Sequence, residues 1–135
     1  MRTNREEMDV PLQREFPAEA IRLTSRVQRT TMTIQELTCE MNRFVEAMGW
    51  YREGSPWQQT PRNIAISLSL EAAEVLEHFQ WGEQADEDAL AGELADVALY
   101  LLQLAYLTGI DLEQAILDKL AINYNREWTE GVGGV

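Results

Sequence analysis

Two pairs of carboxylates with the spacing acid-x-x-acid are the residues of this sequence best suited to chemistry. They are Glu71 with Glu74 and Glu93 with Asp96. Residues three apart lie on one side of a helix, about one turn from each other. Two such helices packed face to face would bring four carboxylates together, and their repulsion would need a compensating charge. A hard divalent cation with oxygen ligands supplies that charge, with Mg²⁺ as the first choice and Mn²⁺ as the second.

The alternative interpretation of these acids is that they are solvated surface residues of an acidic chain. Their neighbours favour the metal site, because an apolar run at 64–70 precedes Glu71 and another at 97–102 follows Asp96. Helices that are apolar nearly all round are usually buried. We therefore predict that all four acids are metal ligands. Glu71 and Glu74 are also the candidate catalytic pair, since a carboxylate left free by the metal can accept a proton from water.

Length and composition favour one globular domain and exclude several kinds of site. The chain has 135 residues, 45% of them hydrophobic, with one Cys and one His. These counts exclude an internal disulfide and zinc sites built from several Cys or His, and they favour a reducing, cytoplasmic setting. The apolar stretch 94–107 contains Asp96 and Gln103, so we expect a buried helix and no membrane span.

The net charge of −12 is unevenly distributed. Residues 1–31 hold six of the eleven basic residues and five of the 23 acidic ones, which leaves five bases and 18 acids, a net charge of −13, for the remainder. Such a domain repels nucleic-acid backbones, so we do not expect it to bind a duplex. A ligand that carries phosphate would need cations to neutralise it.

Apolar periodicity and capping residues predict an all-α fold, an antiparallel four-helix bundle. The helices are expected over 33–48, 61–80, 88–107 and 111–127. Thr33 with Glu36 forms a capping box, and Thr60-Pro61 is typical of an N-cap followed by a first-turn proline. Helices two and three are too apolar for one small bundle to cover, which predicts a homodimer or homotetramer. We expect an N-terminal extension at 1–31, the domain at 32–130 and a flexible tail at 131–135.

Cationic and aromatic residues near the acids add candidate ligand contacts. Lys119, Asn123 and Arg126 form one stripe on helix four that could face the acids, or an ordinary solvated face. The aromatic loop at 50–60 could plug the end of the bundle or stack on a flat ligand. Carboxylates for Mg²⁺, a basic stripe and aromatic residues together suit the metal-assisted hydrolysis of a nucleotide. A non-catalytic nucleotide- or Mg²⁺-binding regulatory module and a structural helical dimer are the alternatives.

The order and spacing of several short motifs over about residues 33–128 resemble the MazG-like nucleotide pyrophosphohydrolases. The motifs are Thr60-Pro-Arg-Asn63, Leu70-Glu-Ala-Ala-Glu74, Phe79-Gln-Trp81, Glu93-Leu-Ala-Asp96 and Tyr100. The branch most similar to this chain is that of the small dCTP pyrophosphatases. The chain departs from it at Gln59, where dCTP-specific relatives tend to carry His.

The resemblance implies an all-α, oligomeric, Mg²⁺-dependent enzyme of nucleotide-pool house-cleaning. Such an enzyme cleaves a nucleoside triphosphate, here dCTP or a related pyrimidine nucleotide first, to the monophosphate and pyrophosphate. By position, the two acid pairs match the metal ligands of the family. The resemblance also implies substrate contacts from Asn63, Trp81, Tyr100, Lys119, Asn123 and Arg126.

Overall fold

The computed structural model of the chain describes residues 31–126, which form four helices. They are α1 (Ile34–Ala47), α2 (Pro61–Glu77), α3 (Glu87–Thr108) and α4 (Leu112–Tyr124). No strand occurs within this range, so the prediction of an all-α fold is confirmed. The predicted extension and tail lie outside the described residues, apart from residue 31.

Side-chain caps fix where the helices begin. The Thr33 side chain accepts from the Glu36 amide, and the Glu36 carboxylate accepts from the Thr33 amide at 2.7 Å, which completes the predicted capping box. Thr60 caps α2 in front of Pro61. Asp86 caps α3 by accepting from the Ala89 amide. These caps satisfy amides that have no partner within the first turn of a helix.

The second helix is shorter than predicted, since it ends at Glu77 and not near Gln80. The amides of Phe79 and Gln80 bond to carbonyl groups three residues back, at 3.0 and 3.4 Å, and this tighter turn ends the α-helical pattern. His78 is therefore the C-cap of α2. The fourth helix also ends earlier than predicted, at Tyr124.

The long helices α2 and α3 form an antiparallel pair, the most extensive helix packing of the described chain. Helix α1 packs across α3, and a small core of Met41, Val45 and Leu102 lies between them. Trp50 and Tyr51, which follow α1, pack against this core. The loop between α1 and α2 is thereby fixed next to the C-terminal half of α3.

Helices α2 and α3 are not covered within a single chain, in agreement with the prediction that they are too apolar for one small bundle to cover. Ile64 is the buried residue of α2, and large apolar side chains elsewhere on the pair are exposed. The exposed set includes Leu70 at 59%, Leu76 at 68% and Leu94 at 51%. Helix α4 packs mainly on α1 and has no buried residue. The four helices of one chain therefore leave much apolar surface uncovered.

By length and composition, α3 would also pass as a membrane span, with a mean hydropathy of 1.4 over its most apolar window. The core helices of soluble proteins pass the same test. Glu93 and Asp96 lie in the middle of α3, where charged side chains are costly in a bilayer. Only 17% of that window is buried within residues 31–126, so packing inside one chain leaves most of the apolar surface of α3 uncovered.

Candidate functional site

Three of the four predicted metal ligands form a compact cluster between α2 and α3. One carboxylate oxygen each from Glu71, Glu74 and Glu93 lies within 4.8 Å of the others. We call these three residues the acid group. Antiparallel packing produces it, because the two acid pairs meet near the middle of both helices. The fourth acid, Asp96, lies one turn beyond Glu93 on α3, where it is exposed.

The charges of the acid group act on one another. Partial burial and then repulsion raise the pKa of Glu71, and the repelling carboxylates are Glu74, Asp96 and Glu93. Repulsion from Glu93 is the main cause that raises the pKa of Glu74. All charges that shift these two groups are carboxylates, so the cluster lacks a compensating cation from α2 or α3. Crowded oxygen ligands with excess negative charge fit a hard divalent cation.

A cavity of about 410 Å³ lies beside the acid group. Side chains from the α1–α2 loop, from the start of α2 and from the second half of α3 line it. We call it the aromatic cavity; its lining residues are Trp50, Pro56, Trp57, Gln58, Gln59, Asn63, Ile64, Ser67, Tyr100 and Gln103. Ser67 is four residues before Glu71, so the cavity begins about 6 Å along α2 from the acid group.

The walls of the aromatic cavity combine flat apolar surfaces with amide groups. Trp50 and Trp57 lie against each other, with ring centroids 6.5 Å apart and planes tilted by 48°. Asn63 donates to the Gln58 carbonyl oxygen at 3.0 Å, which fixes its amide at the rim. A pocket with aromatic faces and a few oriented polar groups suits a flat heteroaromatic ligand.

A chain of side-chain hydrogen bonds connects the cavity to α1. The Tyr51 hydroxyl donates to Asn42 Oδ1 at 2.5 Å, and Gln103 Nε2 donates to the Tyr51 oxygen at 3.3 Å and to Gln59 Oε1 at 2.7 Å. Burial raises the pKa of Tyr51, so its hydroxyl stays protonated. We call these four residues the amide network. Gln103 was not predicted as a functional residue. The feature that could have identified it is its polar side chain inside an apolar helical run.

The structure brings some of the predicted substrate contacts together and separates others. Asn63 and Tyr100 both line the aromatic cavity. Trp81 does not line it, because its side chain lies in the turn after α2, where it is 92% exposed. The cavity lies at the other end of α2, and the acid group is between the two. The reason is the antiparallel geometry, which places the start of α2, and not its end, beside Tyr100.

The predicted cationic stripe also lies apart from the acids within one chain. Lys119 and Asn123 are on α4, which packs mainly on α1, and Arg126 follows that helix. Neither cation is among the charges that shift Glu71 and Glu74. Of the two interpretations of this stripe, the packing of a single chain favours the solvated face, because α4 lies on α1 and not on the helices that carry the acids.

Comparison with known proteins places this site in a family. The family model described as MazG-like matches residues 66–131, which include both acid pairs. A pyrophosphatase from Archaeoglobus fulgidus has a similar structure, with a TM-score of 0.58 and 30% sequence identity over 73% of this chain and 95% of that one. The chain belongs to the MazG-like family.

Curated relatives of this MazG-like chain carry nucleotide-hydrolase names. The dCTP pyrophosphatase 1 proteins of Mus musculus and Homo sapiens are each 39% identical over 82 residues, which cover 52% of this chain. The chain spans about half (48%) of the length of these relatives. A dATP/dGTP diphosphohydrolase of Salmonella phage PMBT28 is 55% identical over a short segment of 38 residues.

Proposed function

We propose that this chain hydrolyses a nucleoside triphosphate to the monophosphate and pyrophosphate, with Mg²⁺ as cofactor. We expect dCTP or a related pyrimidine deoxynucleotide as the first substrate, and a role in cytoplasmic nucleotide-pool house-cleaning. The observation that carries the proposal is the position of the aromatic cavity, one helical turn from the acid group on the same two helices. The names of the mouse, human and phage relatives support a nucleotide substrate.

The two parts of the site, the aromatic cavity and the acid group, have different roles. The aromatic cavity binds and orients the base, with Trp50, Trp57 and Tyr100 as stacking surfaces. A divalent cation held by the acid group, with Asp96 one turn away, would act as a Lewis acid on phosphoryl oxygens and lower the pKa of the attacking water. A carboxylate oxygen not engaged by the cation accepts the proton of that water.

The short distance between cavity and acid group favours attack at the α-phosphorus. With the base in the cavity, the phosphate closest to the nucleoside lies over the acids about 6 Å along the helix. The γ-phosphate lies farther away. The sequence also has no Gly-rich loop of the kind that grips β- and γ-phosphates. The products should therefore be monophosphate and pyrophosphate.

Hydrolysis in ¹⁸O-water tests the proposal directly. A panel of nucleoside triphosphates is incubated with Mg²⁺, and the products are resolved by mass spectrometry. We expect the label in the nucleoside monophosphate and unlabelled pyrophosphate. Label in orthophosphate, with diphosphate accumulating, would show a γ-phosphatase. Binding of nucleotides without turnover would favour the regulatory module.

The exposed apolar surface supports a further part of the proposal, assembly into a homodimer or homotetramer. Helix α4 exposes Leu117 at 53%, Leu120 at 46% and Ile122 at 59%, and α2 and α3 expose comparable side chains. Exposed apolar side chains in such numbers are typical of an interaction surface. A second copy seated on α4 would cover them and could bring Lys119 and Arg126 toward the phosphates bound at its own acid group.

A further inference from the structure

Gln103 is the most deeply buried polar side chain next to the aromatic cavity. Only 3% of its surface is exposed, and it lies on α3 one turn after Tyr100. A buried amide must have its donors and acceptor satisfied, because an unpaired polar group costs free energy. The partners of Gln103 therefore decide which of its atoms remains available to a ligand.

Backbone carbonyl groups at both ends fix the direction of every bond in the amide network. Asn42 Nδ2 donates to the Thr38 carbonyl oxygen at 3.1 Å, so Asn42 Oδ1 must be the acceptor for the Tyr51 hydroxyl. At the other end, Gln59 Nε2 donates to the Trp57 carbonyl oxygen at 2.8 Å, so Gln59 Oε1 must be the acceptor that faces Gln103. Since a carbonyl group can only accept, neither terminal amide can be reversed without losing a bond.

Both N–H groups of Gln103 are used by this network. One points to the Tyr51 oxygen and the other to Gln59 Oε1. Among residues 31–126, no donor reaches Gln103 Oε1, and this oxygen is not among the fully buried atoms that lack a partner. Because Gln103 lines the aromatic cavity, we infer that its carbonyl oxygen faces that cavity. The network thus presents an oriented acceptor to whatever binds there.

The Asn63 amide is also oriented at this cavity. Its Nδ2 donates to the Gln58 carbonyl oxygen, so Oδ1 can accept from a ligand while the second N–H of Nδ2 can still donate to one. Discrimination therefore comes from Gln103, whose fixed acceptor pairs well with an amino group and poorly with a carbonyl oxygen. An oxygen presented to Gln103 would repel Oε1 and leave it without a donor.

We propose that Gln103 is a specificity-determining residue that selects bases carrying an exocyclic amino group over their oxo counterparts. This inference rests on the proposed function, since it concerns the base of the same nucleotide substrate. Gln59 is a positioning residue. It does not contact the base, but its Oε1 accepts from Gln103 Nε2 and so prevents the Gln103 amide from exchanging the positions of its oxygen and nitrogen. Among pyrimidines the network favours cytosine over uracil, and among purines adenine over hypoxanthine.

Paired substrates that differ in this one group test the inference. We compare kcat/KM for dCTP and dUTP, and for dATP and dITP, in the wild type and in Gln103→Met. The wild type should prefer each amino-bearing substrate by about tenfold or more, because a built hydrogen bond is lost with the oxo substrate. In Gln103→Met the ratio should fall to within about threefold of one, since the acceptor is gone. Gln84→Met, an exposed glutamine in the α2–α3 loop, is the matched control and should keep the wild-type ratio.

A second variant keeps the test decisive if the buried Met side chain prevents folding. Gln59 is only partly buried, so Gln59→Ala should fold, as circular dichroism would check. It removes the acceptor that fixes the Gln103 amide, so the dCTP-to-dUTP ratio should also fall toward one. A wild type without preference for amino-bearing bases would overturn the inference. A wild-type ratio retained in the folded variants would overturn it as well.

Failure of the proposed function would give a different result. If no triphosphate is hydrolysed, the proposed reaction is wrong, and equilibrium binding of dCMP and dUMP then decides the inference. Quenching of the fluorescence of Trp50 and Trp57 reports occupancy of the aromatic cavity. Tighter binding of dCMP in the wild type, lost in Gln103→Met, would support the role of Gln103. Equal affinities in the wild type would refute it.

Discussion

Replacing Glu93 by Gln should reduce the response of the protein to Mg²⁺ strongly while leaving its helices intact. The substitution keeps the size of the side chain and removes one of the three charges of the acid group. It also removes a carboxylate that repels Glu74. The metal-free variant should therefore be at least as stable as the wild type. Hydrolysis of nucleotides should fall steeply, because the cation loses one of its ligands and binds more weakly.

The expected size of the Mg²⁺ response follows from the geometry and from binding linkage. The ligand oxygens lie within 4.8 Å of one another, which is close to the roughly 4.2 Å between opposite oxygens around Mg²⁺. At an Mg²⁺ concentration about 100 times the Kd, binding to the folded state raises the free energy of unfolding by about 2.7 kcal/mol. This corresponds to a rise of roughly 10 °C in Tm for a domain of this size. Loss of a direct ligand should weaken binding on the order of 100-fold, so the same Mg²⁺ concentration would raise the free energy of unfolding by only about 0.4 kcal/mol.

Differential scanning fluorimetry with an Mg²⁺ titration measures this difference. The matched control is Glu83→Gln, which removes one charge from the exposed loop between α2 and α3, outside the acid group. We expect the control to behave like the wild type and Glu93→Gln to show almost no Mg²⁺-dependent rise in Tm. Equal Tm rises in both variants would mean that Mg²⁺ acts by general screening. The assignment of the acid group as a metal site would then be wrong.

Four further predictions concern pH, the amide network, the cavity and assembly. Raised pKa values mean that Glu71 and Glu74 hold protons more tightly in the folded metal-free protein than in the unfolded chain. The free energy of unfolding should therefore fall as pH rises from about 4.5 through the folded pKa values. Urea unfolding in EDTA at several pH values should show that this free energy falls less steeply with pH in Glu74→Gln than in the wild type. An equally steep fall in both proteins would contradict the repulsion. Tyr51→Phe removes the bridge between two buried amides and should cost about 1–2 kcal/mol in urea unfolding; a cost near zero would mean that the bridge contributes little. Trp57→Ala should raise KM more than it lowers kcat, because stacking is largely uniform binding; a loss confined to kcat would argue against a base-binding role. Leu120→Glu should shift sedimentation toward the monomer, whereas a wild type that sediments at 15.4 kDa would refute the proposed assembly.

The parts of the fold that the sequence predicts are those set by neighbours along the chain. Thr33 with Glu36, and Thr60 with Pro61, mark the helix starts because capping depends on residues within one turn. The meeting of the two acid pairs was also predictable, since it needs only helical periodicity and antiparallel packing. The end of α2 was missed because no glycine or proline stands at residues 78–80, where the chain leaves the helix.

The parts that sequence analysis could not supply depend on contacts between distant segments. Gln103 and Gln59 are 44 residues apart, and their hydrogen bond exists only because the α1–α2 loop folds back onto α3. The position of α4 is a similar case, because its apolar residues do not reveal whether they pack on their own chain or on another. Periodicity identified Lys119 and Arg126 as one stripe but could not say what that stripe faces.

The two halves of the site share a pair of helices but no side chain, and this arrangement makes them separately adjustable. The residues proposed to contact the base come from the α1–α2 loop, from the start of α2 and from the second half of α3, while the acids lie nearer the middle of both helices. The rise per residue of an α-helix is fixed, so the distance between the aromatic cavity and the acid group stays constant. If Gln103 selects the base as proposed, substitutions at Gln59 or Gln103 should change which base is accepted without moving the carboxylates. Selection or protein engineering could then obtain enzymes for different nucleotides from this one fold by substituting residues of the amide network alone.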